Sequence, residues 1–438
     1  MKRFTQSGLP AISESRTLRL ALCFLLYAAQ GVPVGLFSVA IPGWLAASGA
    51  SAAQVGAVLA AASLPWTLKF LNGFLMDRFA WLPMGRRRPW LIGSQAVLLL
   101  GLAALAVRDP AISDVGLIAA FAFALNLAVN FQDVAVDGMA ADLVPDGERA
   151  RTSGMMFGGQ AIGIAATTAL GALLLRDYGL RGAAIAAGTY ALLVLLLILL
   201  CRERPGEKLL PWTTGQASPV SVQAHAGNWR VIFSGTIAAM LRRPCVLLCL
   251  SCLMFGFAQG LSEGVFPLIA TQTSGLTQVE YSSLVAAGKL ASGLMGIMVF
   301  GLLADHFGPL KLFRASFLLA GAATAAMLLA LPSWASPWPI TLFVLLFLQT
   351  RTMQLVGFGA LAMGLCRPAV AATQMTLFAA VGNLGKTISA ASLGLLDAAG
   401  GHPAMVSAML AALVAGLAFA LMKRAPEPVR SVPAGAVA

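Results

Sequence analysis

The chain has 438 residues, of which 59% are hydrophobic and 11% charged, a balance far from that of a soluble globular domain. Its formal net charge of +12 would suit a nucleic-acid partner in a soluble protein. Here the Lys/Arg runs lack interleaved loop aromatics, and their positions report orientation in a membrane instead.

About twelve apolar runs long enough to span a bilayer follow one another along the chain. A basic tail over 1–17 (Lys2, Arg3, Arg16), continued by Arg19 at the start of the first run, leads into spans expected near 18–41, 52–75, 89–107, 114–137, 152–175 and 181–201. The first run is too long for a cleaved leader and ends at Pro42-Gly43-Trp44, not at a small-residue cleavage site. A polar stretch over 202–243, with Pro205, Pro211, Gly215, Pro219 and Gly227, reads as a linker between two six-helix halves, 18–201 and 244–422. Within it, Trp229 to Leu241 reads as a short amphipathic helix lying along the membrane surface. The second half repeats the scheme near 244–270, 279–303, 311–331, 338–361, 369–395 and 403–422, before a polar tail over 423–438. Lys and Arg crowd into one set of alternating loops and tails, and the other set holds Arg108, Arg176 and Arg181. Linker and both termini are therefore expected on the cytoplasmic side.

The stretch from Leu64 to Trp90 is the most informative. An apolar helix carrying Lys69 ends at Gly73, Asp77 and Arg78; Gly85, Arg86, Arg87 and Arg88 follow a short loop, and Pro89-Trp90 opens the next run. Gly73 lets two helices approach closely. Asp77 can accept hydrogen bonds from arginines or from the N-terminus of a neighbouring helix. The arginines cannot enter hydrocarbon, so they pin this end to the cytoplasmic side. A second Gly-x-x-x-Asp pair, Gly301 and Asp305, followed by Lys311 and Arg314, occupies the equivalent place in the other half. Such an echo is expected of an internally duplicated transporter.

Ionisable residues inside spans are costly and mark function by default. In the fourth span Asn126, Asn130, Asp133 and Asp137 fall on one helical stripe, which must face the bundle interior or a water-filled cavity. The structural alternative for the two acids, stronger for Asp137 near the interface, is pairing with a basic residue to hold helices together. In the first span Gln30 precedes Gly31, Pro33 and Gly35, a combination that breaks regular helix bonding and can turn carbonyls toward a cavity; a packing kink explains it nearly as well. The second half supplies Gln259 and Glu263 one turn apart, Lys289, then Gln349, Arg351 and Gln354, then Asn383 and Lys386. Four intramembrane cations (Lys69, Lys289, Arg351, Lys386) against Asp133, Asp137 and Glu263 suit an anionic substrate. Some are expected to be used internally, as Lys69 with Asp133 or Lys289 with Glu263. A carboxylate that alternately pairs with a cation and takes a proton couples transport to a proton gradient, and Asp133 and Glu263 are the candidates.

The paired Gly-x-x-x-Asp turns resemble the helix 2–3 signature of the major facilitator superfamily. The spacing between Asp77-Arg78 and Gly85-Arg86-Arg87-Arg88 resembles its AmpG-type branch and the related acetyl-coenzyme A transporters. The run Asn130 to Gly138 is similar to that branch's fourth-helix signature, Gln30-Gly31-Val32-Pro33-Val34-Gly35 to its first-helix element, and Lys69 to a lysine typical of it. Where the branch continues with Trp and Pro before the Asp, this chain has Asn72 and Gly73. The resemblance implies an all-α integral membrane protein: twelve transmembrane helices in two six-helix pseudo-repeats. It implies a monomer in the bacterial inner membrane, working by alternating access about a site lined by helices 1, 2, 4, 7, 8, 10 and 11. The implied cargo is a bulky, polar, anionic small molecule such as a muropeptide, taken inward with protons. A siderophore or metal chelate is the alternative cargo, given the departure at Asn72-Gly73. Acetyl-coenzyme A is less favoured because basic residues are few for a multiply phosphorylated ligand. A non-transporting assembly factor is less favoured still, since a scaffold gains nothing from buried ions.

Nothing points to an enzyme or a cofactor. There is no Gly-x-x-x-x-Gly-Lys-Ser/Thr stretch to cradle ATP, and His225, His306 and His402 are too scattered for a metal centre. Cys245, Cys249 and Cys252 share a helix face, where packing as small hydrophobes is favoured over a soft-metal site.

Overall fold

The computed structural model describes residues 10–47, 52–67, 69–225 and 228–422. Lys2, Arg3 and most of the expected N-terminal tail, Gly227 of the linker, and the tail from 423 lie outside the described residues. The helices in chain order are α1 (Arg16–Ala40), α2 (Ala57–Arg78), α3 (Arg88–Arg108), α4 (Val115–Leu143), α5 (149–178) and α6 (180–199), then α7 (Arg243–Thr273), α8 (Ser283–Phe307), α9 (Pro309–Leu329), α10 (Pro337–Leu365), α11 (371–399) and α12 (402–421). Gly179, at φ 64°, separates α5 from α6, and Gly401, at φ 63°, separates α11 from α12. Each separation is a turn in the left-handed region, which glycine adopts without penalty.

Ten helical stretches among the described residues are long and apolar enough to cross a membrane by composition. Most of α5 and α11 falls outside those ten, because polar residues run along both, among them Gln160 on α5 and Gln374, Asn383 and Lys386 on α11. Both face protein over much of their length, so the polar groups are shielded from lipid.

The two halves repeat one packing plan. In each, the first and fifth helices cross most intimately (α1 with α5, α7 with α11), the second lies on the fourth, and the third on the sixth. The α7–α11 crossing brings Gly256 against the Gly382 carbonyl, where a Cβ has no room. α1 and α7 share a further feature: Pro33 and Pro267 are each followed by a π-helical turn, Leu36–Ala40 and Ile269–Thr273. The break foreseen at Gln30–Gly35 is thus a widening just beyond it, and α1 stays helical through Pro33. Of the first-helix carbonyls, Leu25 O accepts from Tyr190 and Leu26 O from Gln132.

Between α6 and α7, the short helix Pro219–Ala224 and the helix Trp229–Met240 occupy the polar stretch. The second exposes Val231, Phe233 and Ile237 while burying Ile232 and Ala239, and Phe233 packs on Phe74 of α2 at 4.8 Å. An amphipathic helix at this place was expected.

Candidate functional site: a cavity between two charged walls

At the end of the molecule carrying the α2–α3 loop, the halves are locked together. Asp77 accepts from Arg87 Nη2 at 2.6 Å, and from the Thr373 amide and hydroxyl at 2.9 and 2.8 Å in the first turn of α11. Both partners foreseen for Asp77, an arginine and a helix N-terminus, therefore hold it at once. Gly73, one turn earlier, lies against Thr373 and Thr376. The pseudo-symmetric pair repeats this: Asp305 of α8 meets Arg151 of α5 at 3.1 Å, and Gly301 packs on the α5 backbone.

The three arginines do not simply face water, as their exclusion from hydrocarbon suggested. Arg86, Arg87 and Arg88 are all buried. Asp142, at the end of α4, pairs with Arg86 at 3.2 Å and Arg87 at 3.1 Å. Glu203 accepts from the backbone amides of all three at 2.8–3.0 Å. Arg88 donates to the Ile198 and Leu199 carbonyls at the end of α6, each at 3.2 Å, where a cation satisfies orphaned acceptors. Gly85, at φ 100°, sits so close to Glu203 that a side chain there would collide. Arg78 stands apart, stacked over Phe79 at 5.0 Å.

Beyond this lock lies a cavity of about 220 Å³ between the halves. It is lined by α1, α2, α4, α5, α7, α10 and α11. Helix 5 thus takes the place that had been given to helix 8, and Lys289 of α8 is not in the lining. On the wall of the first half, Lys69 is paired with Asp133 and lies 3.2 Å from Asp137, while Tyr27 donates to Asp137. This triad is closed: the Lys69 side chain is 9% exposed and that of Asp133 4%.

On the opposite wall, Glu263 of α7, itself outside the cavity lining, lies 3.4 Å from Lys386 and 3.7 Å from Arg351, both of which are in it. The side chains are 53%, 32% and 26% exposed. The side-chain amide of Gln259, one turn before Glu263, lies against the same cations; assigned with its oxygen toward these donors, it accepts from Lys386 Nζ at 3.3 Å and from the Arg351 guanidinium. The foreseen Lys69–Asp133 pair forms. The Lys289–Glu263 pair does not: Lys386 and Arg351 hold Glu263, and Lys289 has no carboxylate within 4 Å among the described residues. Asn383 is exposed in the lining.

The other stripe residues stabilise the wall without reaching the cavity lining. Asn126 accepts from Trp66 Nε1 at 3.2 Å, and Gln30 from Gln160 at 3.1 Å. Asn130 accepts from Asn72 Nδ2 at 2.6 Å, so the departure at position 72 supplies a partner to a stripe residue. Gln349 donates to the Gly288 carbonyl at 3.3 Å, and Gln354 is buried. Cys252 lines the cavity while Cys245 lies under Arg242; no grouping of His, Cys, Asp or Glu among the described residues is arranged to hold a metal ion. Sequence reasoning missed Tyr27, Gln160, Asp142 and Glu203. Gln160, a lone amide in a small-residue run, carried a readable signal; Glu203, buried in a linker taken as solvated, carried none.

The family model of the Major Facilitator Superfamily matches residues 23–390. The chain belongs to the major facilitator superfamily. It is a multi-pass membrane transporter of the twelve-helix major facilitator fold, built of two six-helix pseudo-repeats. It is 25% identical over 415 residues, covering 93% of this chain and 80% of that protein, to the anhydromuropeptide permease of Escherichia coli (strain K12). A structure of the facilitator FucP in the outward conformation superposes with TM-score 0.69 at 15% identity, covering 93% of this chain and 99% of that one. The human organic anion transporter MFSD10 does so with TM-score 0.67 at 16% identity, covering 92% and 99%.

Proposed function

We propose that this facilitator imports a bulky, polar, anionic metabolite of the muropeptide type across the bacterial inner membrane by proton-coupled alternating access, acting as a monomer. The basic end, with both termini and the linker, faces the cytoplasm in this reading, since Lys and Arg concentrate there. The carrying observation is the pair of unlike walls: a nearly buried Lys69–Asp133–Asp137 triad faces partly exposed cations on α10 and α11 across one cavity. The exposed wall suits recognition of anionic groups. The nearly buried wall suits proton handling, because protonating Asp133 weakens its hold on Lys69 and changes how α2 and α4 are tied. Similarity to a permease of anhydromuropeptides over nearly the whole chain supports the cargo class.

The test is uptake of labelled anhydromuropeptide and of labelled ferric siderophore into membrane vesicles, with and without a proton gradient, in wild type and Asp133→Asn. The expected result is gradient-dependent accumulation of the muropeptide, reduced at least about tenfold in the variant. Accumulation of the siderophore alone replaces the cargo assignment, and full gradient-driven uptake by Asp133→Asn removes the coupling role from that carboxylate.

A further inference from the structure

The cation wall gathers two positive side chains about a single carboxylate. Arg351 and Lys386 come from different helices and hold one carboxylate, Glu263, carried by a third, while the Gln259 amide lies against the same two cations. Strong charge-assisted contacts close to about 2.7–2.9 Å, whereas Glu263 stands 3.4 and 3.7 Å from its two cations. It is also the most exposed member of the group. A loosely held, half-exposed carboxylate leaves at little cost, because water replaces its contacts.

The cations are in a different position. Lys289 adds further positive charge on α8 without a carboxylate of its own within 4 Å among the described residues. Once Glu263 swings away, the wall holds cations with only an amide oxygen to share, an arrangement that strongly favours another anion. The triad on the opposite wall offers no such vacancy, since Lys69 there already faces two acids.

We infer that Glu263 is an intramolecular stand-in for the cargo's carboxylate: it occupies the Arg351–Lys386 clamp in the empty transporter and is exchanged for a carboxylate of the cargo on binding. The inference rests on the reading of the cavity as an anion site, and it names carboxylate as the group read there. Glu263 thereby sets a threshold: a ligand must out-compete a tethered carboxylate, so neutral analogues of the same shape are refused.

The experiment uses the full chain purified into nanodiscs and a minimal probe, N-acetylalanine, against its neutral counterpart N-acetylalaninamide, with affinity read from thermal-shift titration. Wild type is expected to respond to the carboxylate and not to the amide. Glu263→Gln, which removes the competitor's charge, is expected to bind N-acetylalanine about tenfold more tightly. Glu263→Asp, which keeps the charge, should stay within about threefold of wild type, and Arg351→Gln should lose the response. An unchanged or weakened affinity in Glu263→Gln overturns the inference while leaving the anion-site reading intact. No response to N-acetylalanine in wild type and Glu263→Gln alike overturns both.

Discussion

The two walls of the cavity hold similar groups under opposite conditions. In the first half, Lys69 ties Asp133 and Asp137 together almost fully buried in the cavity wall, with Tyr27 closing the set. In the second, Arg351 and Lys386 line the cavity and meet Glu263, just outside the lining, at longer range. Burial decides what a charge can do. A buried ion group is costly to break because removing one partner strands the other, whereas a partly exposed one exchanges its contacts for water at little cost.

Removing one charge from each wall tests this contrast directly, and the largest effect belongs to the buried side. Lys69→Ala leaves two buried carboxylates facing each other and is expected to cost about 3–5 kcal/mol of stability, read as a fall in the thermal unfolding midpoint of the purified protein. A midpoint near that of wild type would mean that the triad is wetter than its burial implies.

The basic-end lock extends the comparison to a third group of buried charges. Asp77→Asn weakens the contacts to Arg87 and the first turn of α11 and should destabilise the closed basic end by about 2–3 kcal/mol. Faster labelling of an engineered cysteine beneath the lock is the readout, and unchanged labelling would show that the Arg151–Asp305 pair suffices to keep this end shut.

Glu207, in the linker, gives the same contrast a pH dependence. Burial first, and neighbouring Glu203 second, push its carboxyl up from the ordinary 4.5 to about 7. Folded protein therefore keeps a proton that the unfolded chain has released, and stability declines as pH rises from 4.5 to about 7, then levels off. Glu207→Gln should gain about 1 kcal/mol at pH 8 after solvent screening and nothing at pH 4; denaturation midpoints at the two values check it.

The smallest expected effect lies on the open wall. Lys386→Ala should change stability by less than about 1 kcal/mol while lowering uptake. A loss as large as that of Lys69→Ala would erase the distinction between the walls.

Much of this was legible without coordinates, for identifiable reasons. The polar stripe Asn126–Asn130–Asp133–Asp137 was readable because charge inside a span is so costly that it marks an interior face. The Gly73–Asp77 and Gly301–Asp305 echoes revealed the duplication because each turn needs a small residue and an acceptor at fixed spacing. Contacts between distant segments were another matter. Asp142 and Glu203 sit at a helix end and in a linker, places where acids are ordinarily solvated, and only the convergence of α2, α3, α4 and the linker buries them around the arginines.

Hydropathy, charge asymmetry and the repeated turn thus determined the class, the number of spans and most of the polar residues on offer, because bilayer energetics act on each segment independently of its neighbours. Tertiary structure alone decided which charges meet. Glu263 took Lys386 and Arg351 instead of Lys289, and α5 displaced α8 from the cavity lining. Ion pairing over a few ångströms depends on how helices cross and rotate, which the close packing of Gly256 on Gly382 and its counterparts sets only once the bundle has formed.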